Sequence, residues 1–128
     1  MDGSPFADST LAPQPGMDKK GPTAVLNSCA KIDTLQTYNH LLNQKFQPQF
    51  LEGDLKPVFI DYLKTWREKK IPHVQFNIVD KDTLVAAQNK PQEFQDLIVR
   101  VAGYSAYFVE LSKGLQDHII NRTEQSFP

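Results

Sequence analysis

Apolar and polar positions divide the chain near residue 22. Residues 1–22, MDGSPFADSTLAPQPGMDKKGP, show no periodic apolar face and hold four of the nine prolines and three of the six glycines. Such a stretch has too little apolar surface to build a core, so an extended or disordered segment with few internal contacts is expected. From Thr23 to Pro128 the pattern is that of a folded α/β unit. Pro22 suits a first helical position, where its missing N–H costs nothing. Val25, Leu26, Cys29 and Ile32 then follow at helical spacing. The apolar stretch around Leu42–Phe46, closed by Pro48, predicts a short extended piece. GDLKPVFIDYLKTWREKK predicts the clearest helix, with Val58, Phe59, Tyr62, Leu63 and Trp66 on one face and cations near its C-terminal end.

Pro72 stops that helix, and HVQFNIVD alternates as a strand does, with Val74, Phe76 and Ile78 on one face. KDTLVAAQN reads as a short helix with Asp80 or Asp82 as its N-cap. DLIVRVAG is a continuous apolar run, which predicts a strand buried on both faces. A last helix should start near Ser112, a good N-cap, and stack Leu111, Leu115 and Ile119.

Composition narrows the function classes. A net charge of −1 argues against a dedicated nucleic-acid or membrane-surface role. No apolar run approaches a membrane span and no signal peptide opens the chain, so a cytoplasmic location is expected. One cysteine, Cys29, excludes an internal disulfide framework and fits a reducing compartment. Its helical, apolar setting makes it a small buried hydrophobe rather than a reactive thiol.

Conventional site chemistry is missing. His40, His73 and His118 lack metal-ligand spacing to one another or to Cys29. No phosphate-cradling glycine loop and no nucleophile elbow occurs. NRT at 121–123 matches a glycosylation acceptor, which a cytosolic chain would not use. What remains is a glycine at the centre of LIVRVAGYSAYF, residues 97–108. Glycine weakens a strand, so Gly103 marks a bulge, a bend or a site approached closely by another group.

RVAGYSAYF, followed by a helix ending QDHIINRTEQ, resembles the C-terminal signature of glycyl radical enzymes. KKGPTAVLNSCAKID, YNHLLNQKF, HVQFNIVD and LVAAQNKPQEFQDLIVRV agree with that family in order and spacing. The resemblance runs from about Asp2 to Gln125. It implies that the α-carbon of Gly103 stores an unpaired electron, shared between the adjacent amide nitrogen and carbonyl. Glycine suits this because a side chain would crowd the flattened carbon and block approach. Arg100, Val101, Ala102, Tyr104 and Ser105 would support the glycine loop, and the bulk of Val99, Val101, Tyr104 and Phe108 would shield it.

The same resemblance implies the C-terminal part of a ten-stranded barrel, with strands 74–79 and 97–102 paired in parallel. It implies no bound cofactor. The radical would be a modification of Gly103, installed by a radical S-adenosylmethionine activase that carries the iron–sulfur cluster. The family's thiyl cysteine and its neighbouring glutamate lie outside the matched region, and Cys29 does not align with that cysteine. The chain therefore reads as the radical-bearing part of a longer catalytic subunit. An autonomous spare part that restores a damaged partner enzyme is the alternative, and a non-catalytic α/β binding domain a further one. The signature resembles the dehydratases, choline and isethionate lyases, arylacetate decarboxylases and alkyl- or benzylsuccinate synthases more than pyruvate formate-lyase. Substrate contacts in those enzymes come mostly from parts outside this chain.

Overall fold

A computed structural model describes residues 11–14, 16–38 and 40–127. A three-stranded parallel sheet organises them, with β1 (Leu41–Phe46) between β2 (His73–Ile78) and the short β5 (Glu124–Gln125). Parallel neighbours need a long crossover, and residues 47–72 supply it through α2 (Lys56–Glu68). Helix α1 (Pro22–Cys29) precedes the sheet, with Pro22 in the first turn as expected. After β2 come α3 (Lys81–Asn89), the antiparallel hairpin of β3 (Ile98–Arg100) and β4 (Ser105–Tyr107), and α4 (Lys113–Ile120).

The register pairs Leu42 with Val74, Gln44 with Phe76 and Phe46 with Ile78, which puts these six side chains on one face of the sheet. That face carries the first core. Leu42, Phe46, Phe59 and Tyr62 are buried there, and Val74, Phe76, Ile78, Leu63 and Trp66 pack against them. Gln44 is the polar member, and the Tyr62 hydroxyl donates to its Oε1 at 3.2 Å. The helical face expected of α2 is present except at Val58, which is 36% exposed, because the helix turns Phe59 and Tyr62 toward β1. Ile32 lies beyond the end of α1 and is exposed.

The opposite face bears Asn43, Lys45, Gln75 and Asn77. Alternation assigns such residues to water, yet Lys45, Gln75 and Asn77 are almost fully buried. The hairpin and α4 cover them. Beyond this polar layer lies the second core, built from Val79, Leu84, Ala87, Val99, Val101, Phe108, Ile119 and Ile120. Asp80 caps α3 by accepting from Thr83 N–H at 2.7 Å, and these bonds hold its carboxyl below the usual carboxylate range. Ser112 occupies the N-cap position of α4, but its side chain makes no capping bond.

Two expectations are corrected. Residues 97–102 do not form a long strand paired in parallel with 74–79 and buried on both faces. Only 98–100 are strand, they pair antiparallel with 105–107, and Ile98 is 57% exposed. The cause lies at Arg100, whose N–H and C=O point out of the hairpin and meet the Asn77 side-chain amide instead of a backbone neighbour. The early segment also departs from expectation where it is described. No helix or strand precedes Pro22 there, but Leu11 is buried in the first core, and Asp18 accepts from Thr123 and Gln125. Residues 1–10 lie outside the described residues. Among the described residues no helix is long and apolar enough to cross a membrane.

Candidate functional site: the glycine loop

Residues 101–104 close the β3–β4 hairpin. Val101 N–H donates to Tyr104 C=O at 2.9 Å, leaving Ala102 and Gly103 as the turn. Gly103 has φ +82°, a backbone state open to glycine and strained for other residues. A two-residue hairpin turn commonly requires such a residue. A Cβ placed on Gly103 meets no atom within 4 Å, so the backbone angle rather than crowding selects glycine in this chain.

The loop sits on three polar struts. Asn77 accepts from Arg100 N–H at 2.7 Å through Oδ1 and donates to Arg100 C=O at 2.6 Å through Nδ2, imitating a neighbouring strand. Arg122, just past α4, donates to the carbonyls of Arg100 at 3.0 Å and Val101 at 2.6 Å. Gln75 reaches the glycine itself, its Oε1 accepting from Gly103 N–H at 3.1 Å. Lys45 braces the layer behind them by donating to Ile120 C=O at 3.2 Å, with Glu124 at 4.0 Å. Burial pushes the Lys45 ammonium below its usual range, and Glu124 opposes that shift.

The residues expected around Gly103 take distinct places. Arg100 ends β3 and donates across the hairpin to the Ser105 hydroxyl at 3.0 Å. Val101 is buried in the second core, while Ala102, Gly103 and Ser105 are exposed and Tyr104 is 51% exposed. Among the described residues the expected shield is therefore absent. Val99, Val101 and Phe108 point into the core beneath the hairpin and leave the turn open. Gln75 and Asn77 were missed because a polar residue alternating with apolar ones reads as solvent-facing, and Arg122 because a cation just past a helix end reads as solvated.

Other groups lie apart from the loop. Cys29 is buried, donates to Leu11 C=O at 3.0 Å, and burial pushes its thiol up to about 11. That is the behaviour of a packing residue, not a nucleophile. Among the described residues no group of His, Cys, Asp and Glu could hold a metal ion. An apolar hollow of about 400 Å3 lies between residues 11–21 and α1 and shares no lining residue with the glycine loop.

Comparisons with known proteins cover almost all of the chain, the loop included. A family model described as glycine radical matches residues 7–109, which include Gly103. Trans-4-hydroxy-L-proline dehydratase of Clostridioides difficile is 47% identical over 91% of this chain and 15% of its own length. Isethionate sulfite-lyase of Desulfovibrio desulfuricans is 46% identical over 96% of the chain and 15% of its own. The solved glycerol-bound form of the B12-independent glycerol dehydratase from Clostridium butyricum superposes with a TM-score of 0.87 at 45% identity. That superposition covers 96% of this chain and 16% of the solved one. The chain thus spans 15–16% of the length of these relatives.

Proposed function

Because the chain belongs to the glycine radical family, we propose that Gly103 is its radical residue and that residues 23–128 form the domain storing that radical. An activase removes one hydrogen atom from the Gly103 α-carbon, and the electron left behind is shared with the flanking peptide groups. The activase is a radical S-adenosylmethionine protein and supplies the only cofactors involved. The remainder of a longer catalytic subunit then receives the radical on a cysteine and turns over substrate as a lyase or dehydratase does. Cytoplasmic residence fits the single, reduced, buried cysteine.

One observation carries this reading. Gly103 stands exposed at a hairpin tip with its N–H held, its φ at +82° and open space where a side chain would be. A hydrogen-abstracting group can approach the α-carbon, and among the described residues nothing obstructs the carbon as it flattens. The exposed Ile98, Tyr104 and Tyr107 on the same hairpin give a covering body apolar surface to close upon.

Anaerobic activation of the protein should give a glycyl radical signal in electron paramagnetic resonance. Air should then cut the backbone at Gly103 and release a piece beginning near Tyr104. Gly103→Ala should abolish both while the chain still folds, at a cost of about 1–2 kcal/mol for the positive φ. A radical that survives in Gly103→Ala, or cleavage elsewhere, defeats the assignment.

A further inference from the structure

We propose that Gln75 is the positioning residue of the radical site, pinning the Ala102–Gly103 peptide while the α-carbon flattens, granted the reading of Gly103 as the radical residue. Gln75 projects from β2 into the polar layer and is 5% exposed. Its Oε1 accepts from Gly103 N–H, and its Nε2 finds no acceptor among the described residues. Burying an amide with both N–H donors unmatched is unfavourable, and an apolar side chain would fill the same space without that cost. Gly103 N–H, at an exposed loop tip, could bond water equally well. Backbone satisfaction does not therefore account for the glutamine. Holding one peptide plane does.

The radical gives that plane its importance. A planar α-carbon shares its electron with both flanking peptides only when all three lie in one plane, whereas Gly103 rests at φ +82°. Loss of the hydrogen must therefore be followed by rotation at the glycine. Upstream, the Arg100 and Val101 carbonyls are held by Asn77 and Arg122, and Gln75 holds the Gly103 N–H. With that half fixed, the rotation falls on the Gly103–Tyr104 half. An acceptor on the N–H also enriches the amide nitrogen that donates toward the radical carbon.

Three variants separate the possibilities. Gln75→Leu keeps volume and removes the acceptor, Gln75→Asn falls one methylene short, and Gln75→Glu keeps an acceptor at the same reach. Before activation, Gly103 amide exchange in Gln75→Leu and Gln75→Asn should run about tenfold faster, as loss of one hydrogen bond allows, with β1 and α2 amides unchanged. After anaerobic activation, both should give a several-fold lower radical yield and an altered coupling of the exchangeable Gly103 N–H proton. Gln75→Glu should restore exchange rate, yield and coupling. Wild-type exchange and spectra in Gln75→Leu, or failure of Gln75→Glu to restore them, would overturn the proposal. Absence of any radical in the wild-type protein would instead overturn the reading of Gly103 and, with it, the role of Gln75 in radical storage. Exchange at Gly103 would still report whether Gln75 holds the loop.

Discussion

The two faces of one small sheet are filled by opposite means. On the first face Phe46 stands among five rings, those of Phe50, Phe59, Tyr62, Phe76 and Phe127, with centroids 5.3–6.0 Å away. Edge-on and stacked contacts of this kind add to simple burial and leave little freedom. On the second face the strands offer Asn43, Lys45, Gln75 and Asn77, and the second core begins only beyond them. The first arrangement is apolar packing without a chemical task. The second positions a backbone, because amide and guanidinium groups can fix N–H and C=O groups where methyl groups cannot. The glycine is found on the second.

The largest test of this contrast is Phe46→Ala. It should cost about 3–5 kcal/mol, as removal of a buried aromatic does, measured by urea denaturation. Because β1 and β2 span both faces, the loss should reach the glycine loop as well. A cost below about 1.5 kcal/mol, the level of a tolerated core swap, would mean that the ring cluster is not the anchor of the sheet.

Asn77→Leu tests the other face. It leaves the Arg100 N–H without its partner, while Arg122 still holds the carbonyl. The expected cost is about 1–3 kcal/mol. Amide exchange should accelerate in 98–107 and remain slow in 56–68. Equal acceleration in both segments would show that the polar struts support the whole fold rather than the loop.

This contrast also explains what could be seen in the sequence. The apolar face was legible, since Val74, Phe76 and Ile78 alternate and Phe59, Tyr62 and Leu63 recur at helical spacing, each signal naming its own face. Gly103 was legible through the motif around it, and the structure shows the bend that this glycine makes. The bend supplies the exposed, positive-φ glycine that the proposed chemistry uses. The hairpin was not legible, because LIVRVAG reads as one long strand until Arg100 is seen turning its backbone toward Asn77. Nor was the polar layer. Period-two alternation says that Gln75 and Asn77 share a face, but only the long-range return of residues 97–122 decides that this face is buried.

The smallest effect separates the two faces by the sign of their response to alkali. In the first core, burial raises the Cys29 thiol from 9.0 to about 11. Between those values the unfolded chain has released a proton that the folded chain keeps, so Cys29's contribution is intact below pH 9 and is lost as pH rises toward 11. Its slope cannot exceed about 1.4 kcal/mol per pH unit. Lys45, on the polar face, is shifted downward by burial. Over the interval below its ordinary 10.5 the unfolded chain holds the extra proton, so this group gains stability as pH rises. Denaturation between pH 7 and 10.5 should therefore show Cys29→Ala losing less stability with alkali than the parent chain. Lys45→Met should lose more than the parent, because the gain that Lys45 supplies is gone. If the two variants track the parent chain in parallel, neither side chain is held as the structure places it.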